Sequence, residues 1–246
     1  RLEARRMATL DFQKPLSPKE RQERNRREMT EAILAAARVI MRRDGVAALN
    51  LHEIARMVGV QTPALYKYFP GKAAVYDELY RRGMALIQDR FAAVYREHEP
   101  GWGRLRAWAE TRAAFAQENP DLEHLLFGRD VPGFIPSDES MALSWERLAS
   151  ARHAFQEVID AGVIDPGMSA DRALDLFLAV TSGITAQHLA NEPHLPVGQG
   201  RFGSLIPDAI HLFETAWAPG NAPRQDTTTG SDRRGHDGTA DSAPAR

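Results

Sequence analysis

The chain has 246 residues, of which 43% are hydrophobic and 26% charged, and its formal net charge is −2. This composition is that of an ordinary globular protein, long enough to bury a core in one large or two small domains. The absence of cysteine excludes a disulfide framework and thiolate chemistry, and suits the reducing cytoplasm where we expect the protein. The longest apolar runs are too short and interrupted to span a bilayer, so we expect no membrane partner. The arginine-rich start lacks the apolar segment of a signal peptide.

The first part of the chain divides into an arm and a helix. Residues 1–24 are polar and basic and contain two prolines, a composition typical of a flexible arm. From residue 26 to residue 43 apolar residues recur at helical spacing, and Asp44 and Gly45 then end the predicted helix. The apolar positions of this helix are Met29, Ile33, Ala36, Ala37, Ile40 and Met41.

Residues 49–72 predict two short helices joined by a tight turn. Asn50 can cap the first helix, and Glu53 three residues later completes an Asn-x-x-Glu version of the capping box. Gly59 stands where a residue in the left-handed conformation ends a helix at low cost. Thr62 can cap the second helix, with Pro63 at the first helical position, where its missing N–H costs nothing.

The second of these helices has an apolar inner face and a polar, aromatic and basic outer face. Leu65 and Phe69 lie four residues apart and therefore point inward. Two helices, a short turn containing glycine and such an outer face are typical of a helix-turn-helix. The residues left pointing outward are Thr62, Ala64, Tyr66, Lys67 and Tyr68.

The distribution of charge agrees with a DNA-binding head on an acidic body. Residues 1–72 contain 15 lysine and arginine against 8 aspartate and glutamate residues, a balance of +7. Residues 73–246 contain 16 against 25, a balance of −9. A basic first third is what the binding of phosphate requires, although a charge run can also be no more than a solvated helix face.

The remaining pattern predicts helices and no sheet, so the fold class is all-α. We divide the chain into the arm (1–24), a helix-turn-helix domain (25–72), a helical body (73–218) and a tail (219–246). The tail is almost devoid of apolar residues, which predicts disorder. The helices predicted in the body cover a long segment from 71 to about 99, then 103–118, 122–127, 140–161, 169–190 and 204–217.

The run from Gly59 to Lys72, GVQTPALYKYFPGK, resembles the recognition segment of TetR-family transcriptional repressors. The shared features are Gly-Val at the turn, Leu65-Tyr66, the aromatic pair Tyr68-Phe69 and a lysine three residues after the phenylalanine. The close resemblance covers about residues 28–80, and beyond residue 100 it is one of architecture only. It implies a homodimer that binds a double-stranded DNA operator and responds to a small-molecule effector.

The resemblance also implies roles for single residues of the head. His52, Thr62, Pro63, Ala64 and Lys67 match positions that face base edges. Pro63 and Ala64 have little to offer as hydrogen-bond donors, so we expect phosphate contacts and DNA shape to carry much of the specificity. The positions that match phosphate-binding residues of the family are Tyr66, Tyr68 and Lys72, although both tyrosines could instead be half-buried packing residues.

In the body, the resemblance implies an effector cavity and a dimer interface on the last two helices. We expect an apolar or aromatic effector, because few charged residues interrupt the helix faces concerned, with Gln117, His124 or His188 as a polar anchor. The candidate pocket residues are Trp108, Phe115, Phe127, Trp145, Phe155 and Phe177. The candidate interface residues are Leu174, Phe177, Leu178, Ile206, Ile210, Phe213 and Trp217.

Signals of enzymatic chemistry are weak. The sequence has no G-x-S-x-G, Walker A, G-x-G-x-x-G or H-E-x-x-H motif, so we expect neither an enzyme nor a cofactor. Asp121 with His124, and His211 with Glu214, are too few ligands for a metal site. The hypothesis is a ligand-responsive repressor of a palindromic operator. Two alternatives stay open: a helical enzyme with an accessory DNA module, and a non-specific or architectural DNA-binding protein.

Overall fold

A computed structural model describes residues 16–221, and within that range the chain forms helices and no strand, which confirms the predicted all-α fold. A single 3₁₀ turn, Val46–Ala48, follows the first helix, and a π-helical turn, His124–Gly128, follows the sixth. The helices are α1 (Pro18–Asp44), α2 (Leu51–Met57), α3 (Thr62–Leu65), α4 (Lys72–Glu97), α5 (Trp102–Glu118), α6 (Pro120–Glu123), α7 (Asp138–Asp160), α8 (Ala170–Asn191), α9 (Gly200–Gly203) and α10 (Ile206–Ala216).

Helix α1 begins earlier than the sequence pattern predicts. The Oγ of Ser17 accepts a hydrogen bond from the backbone N–H of Glu20 at 3.2 Å, and the Glu20 carboxylate accepts one from the Ser17 N–H at 2.7 Å. This capping box, with Pro18 in the first turn, starts the helix at residue 18. The prediction of an arm to residue 24 is therefore wrong for residues 18–24, and residues 1–15 lie outside the described part.

We use the name head for helices α1 to α3 and the name body for helices α5 to α10. Helix α4 belongs to both, because Val75 and Tyr76 near its start and Phe91 near its end are buried in the same continuous core. The ring of Phe91 stacks on Trp108 of α5 with a centroid distance of 4.7 Å. A displacement of α4 would therefore shift residues packed against it in both the head and the body.

The core of the body is built around Phe177 of α8, which is fully buried. Its ring lies 5.7 Å from that of Trp108, 5.3 Å from that of Phe155 and 5.5 Å from that of Phe213. These tilted and edge-on contacts join α5, α7, α8 and α10 in one aromatic cluster.

Two predictions concern the end of the chain and the membrane. The predicted disordered tail begins at residue 219, and only residues 219–221 fall within the described range. There the backbone N–H of Gly220 donates to the carboxylate of Asp165 at 2.6 Å. Across residues 16–221, none of the helices combines the length and the apolar character needed to cross a bilayer.

Candidate functional site

The first helix of the helix-turn-helix is capped differently from the prediction. The Asn50 side chain accepts from the backbone N–H of His52 at 2.9 Å, not from that of Glu53. The Glu53 carboxylate instead accepts from Arg43 of α1 at 2.9 Å, so the predicted capping box does not form. Gly59 has a φ of 73°, which confirms the left-handed turn residue. Pairing of Glu53 with Arg43 anchors α2 to α1.

Helix α3 is a single turn that begins at Thr62 after the N-cap residue Gln61, so the prediction of Thr62 as the cap is wrong. The Thr62 hydroxyl is free for another role and lies 3.0 Å from Nδ1 of His52 on α2. The backbone N–H groups of Tyr68 and Phe69 both donate to the Leu65 carbonyl, at 2.8 and 2.9 Å. These bonds continue the short helix as a tight turn and fix the direction of its side chains.

The side chains predicted to contact DNA differ in their exposure. Leu65 and Phe69 are only 1% and 7% exposed and anchor the segment, as the spacing predicts. Tyr66 is 54% exposed and Lys67 is also exposed, so both are available to a partner. Pro63 and His52 are exposed, whereas Thr62 and Ala64 are half-buried. Contact of these residues with DNA stays a prediction.

Tyr68 and Lys72, predicted to bind phosphate, also have partners inside the head. Tyr68 is half-buried, and the guanidinium of Arg26 lies 5.7 Å from the centre of its ring. The Nζ of Lys72 donates to the carbonyl of Ala47 at 2.7 Å and lies 5.4 Å from the ring of Tyr76. Lys72 therefore ties α4 to the turn between α1 and α2. Two of its three ammonium protons are left for other acceptors.

Besides the shared helix α4, a buried carboxylate, that of Asp121 on α6, joins the head to the body. Its side chain has 0% exposure and accepts from Nε and Nη2 of Arg38 at 2.6 and 3.1 Å and from Nε of Arg42 at 2.8 Å. Asn119 completes the group by accepting from Arg38 Nη2 at 2.9 Å. We call Arg38, Arg42, Asn119 and Asp121 the Asp121 clamp.

Electrostatics within the Asp121 clamp favour the charged carboxylate. Burial by itself raises the pKa of Asp121, but hydrogen bonds and charges from Arg38 and Arg42 outweigh it and hold the pKa below its ordinary value of 3.8. Sequence reasoning missed this clamp and paired Asp121 with His124 instead. His124 lies 2.5 Å from a carboxylate oxygen of Asp130. No local pattern could have joined α1 to a residue about 80 positions later.

Most of the aromatic residues predicted to line a pocket are packed in the core. Trp108, Phe115, Phe155 and Phe177 are between 0% and 5% exposed, and only small spaces of about 120 and 10 Å³ border Trp108 and Phe155. Trp145 is 62% exposed on α7, so the prediction that it lines an internal cavity is wrong. Its position in the helix turns it away from the residues of α7 that meet the core.

The body does contain a larger cavity, of about 510 Å³, between α5, the π-helical turn, α7 and α8. We call it the Phe127 cavity, since Phe127 is the one predicted pocket residue among its lining residues. Of the three predicted anchors, His124 lines this cavity, whereas Gln117 and His188 make contacts elsewhere. The Gln117 side chain donates a hydrogen bond to the Leu195 carbonyl and accepts one from the backbone N–H of Val197. His188 Nε2 lies 3.0 Å from the same carbonyl, so both side chains hold the loop before α9.

The residues predicted for a dimer interface face inward. Leu174, Ile206, Ile210 and Trp217 are at most 3% exposed within one protomer, because they pack on the aromatic cluster. The same holds for Phe177 at 0% and Phe213 at 9%, while Leu178 is half-buried beside the Phe127 cavity. The assignments of the six buried residues are therefore corrected, and that of Leu178 stays a prediction. The large apolar side chains that α8, α10 and the residue before α10 expose are Val180 (38%), Leu205 (38%) and Leu212 (68%).

Comparison with known proteins matches the head to one family. Residues 33–79 match the model described as bacterial regulatory proteins, tetR family. The nucleoid occlusion factor SlmA of Vibrio cholerae is 31% identical over 104 residues, which are 42% of this chain and 52% of that protein. The chain thus spans about half the length of the curated relatives it matches.

Solved structures share the whole architecture. A protein of unknown function from a Rhodococcus species has a TM-score of 0.65 at 24% identity, over 77% of this chain and 95% of that one. PfmR of Thermus thermophilus, a TetR family transcriptional regulator, has a TM-score of 0.59 at 17% identity, over 74% and 97%. FadR of Bacillus subtilis, solved with stearoyl-CoA, has a TM-score of 0.58 at 17% identity, over 75% and 97%. These identities establish the fold alone.

Proposed function

We propose that this chain, a TetR-family transcriptional regulator, represses transcription as a homodimer that binds a palindromic operator and is released by a small-molecule effector. The observation that carries the proposal is the set of exposed residues His52, Pro63, Tyr66 and Lys67 on a head that helix α4 and the Asp121 clamp join to a body with a cavity. An enzyme would need no such connection, and a purely architectural protein would need no cavity.

Recognition of DNA requires two heads. A helix-turn-helix dimer places its recognition helices about 34 Å apart, one turn of DNA, so that each enters the major groove of one half-site. In each head we expect Lys67 to donate to a guanine edge and Tyr66 to donate to a phosphate. Thr62 and His52 contact each other at 3.0 Å and hold α2 and α3 in a fixed relation.

Dimerisation is proposed through the outer faces of α8 and α10. Val180 and Leu212 expose apolar surface there, although each protomer already has a complete core. Ala179 and Gly183 beside Val180 are small and exposed, so a second copy of α8 can approach closely. A two-fold axis through this face makes the contact self-complementary, as closed dimers require.

Release is proposed to pass through α6. The lining of the Phe127 cavity includes Glu123, and Asp121 in the same short helix binds Arg38 and Arg42 of α1. An effector that fits only one position of Glu123 therefore biases the position of α1 and of the attached recognition helix. The coupling need be only about 1.4 kcal/mol for a tenfold change in DNA affinity. FadR with stearoyl-CoA is an example of this fold with a ligand bound.

Footprinting of the purified chain on DNA selected from random sequence tests the proposal. We expect one protected palindrome whose half-sites are one or more DNA turns apart. Uniform protection along every fragment would favour the architectural alternative and would contradict a repressor. Catalytic turnover of a bound small molecule would revive the enzyme alternative.

A further inference from the structure

The Phe127 cavity combines apolar walls with two arginines. Leu178, Leu189, Ala186 and Ala190 of α8 form one wall, and the ring of Phe127 in the π-helical turn forms another. With a volume of about 510 Å³, the cavity falls in the range of small-molecule sites. A π-helical turn is rare and is frequently found at functional sites. The cavity is therefore a candidate binding site rather than a packing defect.

One of the two arginines in the cavity is paired and the other is not. Arg112 donates two hydrogen bonds of 2.6 Å to the two carboxylate oxygens of Glu123. Arg147 has a buried Nε with no hydrogen-bond partner, and within residues 16–221 no carboxylate lies within ion-pair distance of it. Both guanidinium groups lie near the Phe127 ring, whose centre is 4.1 Å from the guanidinium carbon of Arg112 and 5.5 Å from that of Arg147.

Arg147 is half-buried, and a guanidinium whose buried Nε lacks a hydrogen-bond partner is costly unless something compensates it. Burial, and next the charge of Arg112, lower the pKa of Arg147, although an arginine still stays protonated at neutral pH. Stacking on Phe127 offsets part of the cost, but it does not satisfy the N–H donor. The charges of Arg112, Arg147 and Glu123 add to +1, and His124, which also lines the cavity, has its own partner in Asp130 at 2.5 Å. A single negative charge would therefore neutralise the group formed by the two arginines and Glu123.

We propose that the Phe127 cavity binds a small monocarboxylate with an apolar body. The carboxylate accepts from Arg147, whose planar guanidinium suits a planar anion, and the apolar body packs against Phe127 and Leu178. A dianion would leave one charge without a partner, since Glu123 already neutralises Arg112. This inference rests on the proposed function for its biological meaning, because it names the class of effector. It also changes the effector that the sequence predicts, an apolar or aromatic molecule anchored by Gln117, His124 or His188, to one that carries a charge.

Calorimetric titration of the full chain with octanoate and phenylacetate, each against its alcohol (octanol and 2-phenylethanol), tests the proposal. At least one carboxylate should bind at least about tenfold more tightly than its alcohol, the size of effect expected for a charge-assisted hydrogen bond. Octyl phosphate, which is largely dianionic at about pH 8, should bind more weakly than octanoate. These titrations need no DNA, so they distinguish failure of this inference from failure of the proposed repressor.

Variants of α7 locate the binding. Arg147→Met should weaken carboxylate binding at least about tenfold and leave alcohol binding unchanged, and Arg147→Lys should restore part of the difference. The control is Arg152→Met on the same helix, since Arg152 is 61% exposed and pairs with Asp171 at 2.8 Å. It should bind octanoate like the wild type.

Thermal unfolding gives a second readout. Because Arg147 is unpaired without a ligand, Arg147→Met should unfold at the same temperature as the wild type or higher, whereas loss of a structural arginine would lower it. Equal binding of carboxylates and alcohols, no binding of either carboxylate, or undiminished carboxylate binding by Arg147→Met would each overturn the proposal.

Discussion

The head and the body differ in where their informative residues lie. In the head they are exposed: Tyr66 and Lys67 stand outside a small core that Leu65 and Phe69 anchor. In the body they are buried or half-buried: Arg112 and Arg147 face a cavity, and Phe177 fills the core. Substitutions in the head should therefore change binding to DNA while stability stays nearly constant. Substitutions in the body should change stability, assembly or the response to a ligand.

The largest effect is expected at the outer face of α8 and α10. The double substitution Val180→Asp and Leu212→Asp places charges on exposed apolar positions and should give folded monomers. Specific operator binding should fall by about 10³-fold or more, to the level of non-specific binding. Sedimentation at micromolar concentration and fluorescence anisotropy measure the two effects. The control is Ile135→Asp, an 83% exposed position in the loop before α7, which should stay dimeric. A wild type that sediments as a monomer would refute the assignment.

The next effect is expected at the junction between the two regions. Asp121→Ala leaves Arg38 and Arg42 without their shared carboxylate and should lower the free energy of unfolding by about 2–3 kcal/mol. This is less than for a fully buried pair, because both arginines are partly in water. Urea unfolding measures it, with Asp89→Ala on the exposed side of α4 as the control. Unchanged stability would mean that the Asp121 clamp does not join head and body.

The same carboxylate sets a pH dependence. The pKa of Asp121 in the folded chain lies below its ordinary value of 3.8. The stabilisation by this carboxylate is therefore fully present above pH 3.8 and is lost as the pH falls through the folded pKa. Asp121→Ala should accordingly lose less stability than the wild type on acidification below pH 3.8. Parallel acid unfolding curves for the two proteins would contradict this.

The sequence predicts features that depend on residues close together in the chain, and it does not predict features that depend on residues far apart. The helix-turn-helix is local: Gly59, Leu65 and Phe69 announce the turn and the inner face within a short segment, and all three are confirmed. The Asp121 clamp joins residues far apart in the sequence, and no local spacing of residues predicts it. In α8 apolar residues occur on more than one side, so their spacing alone did not indicate that Phe177 faces inward and Val180 outward.

A smaller effect, confined to DNA binding, is expected for the outer surface of the head. Tyr66→Ala should weaken binding to every DNA sequence, because a phosphate contact carries no sequence information. The free energy of unfolding, measured with urea, should change by no more than about 0.5 kcal/mol, since Tyr66 is 54% exposed. Anisotropy with operator and with random DNA measures the effect. Undiminished affinity for both DNAs would show that α3 does not lie on DNA.

The smallest effect is expected for Lys72, which is both a predicted phosphate-binding residue and a residue that stabilises the fold. Lys72→Met removes the hydrogen bond to Ala47 and should lower the free energy of unfolding by about 1 kcal/mol. If its remaining protons bind a phosphate, the slope of log affinity against log salt should also fall by about 0.9. A variant with wild-type stability would show that the bond to Ala47 contributes nothing, and Lys67→Met serves as the exposed control.

Sequence-specific recognition by the head is the central claim, and one ratio tests it most directly. The affinity of the full chain for its selected operator is divided by that for random DNA of equal length and at equal salt, for the wild type and for Lys67→Ala. We expect a wild-type ratio of about 10³ or more. In Lys67→Ala the free-energy difference between binding to operator and binding to random DNA should shrink by about 1–3 kcal/mol for each half-site contact, so the ratio should fall. The free energy of unfolding should not change. A wild-type ratio near one, or a ratio that Lys67→Ala leaves unchanged, would contradict the account.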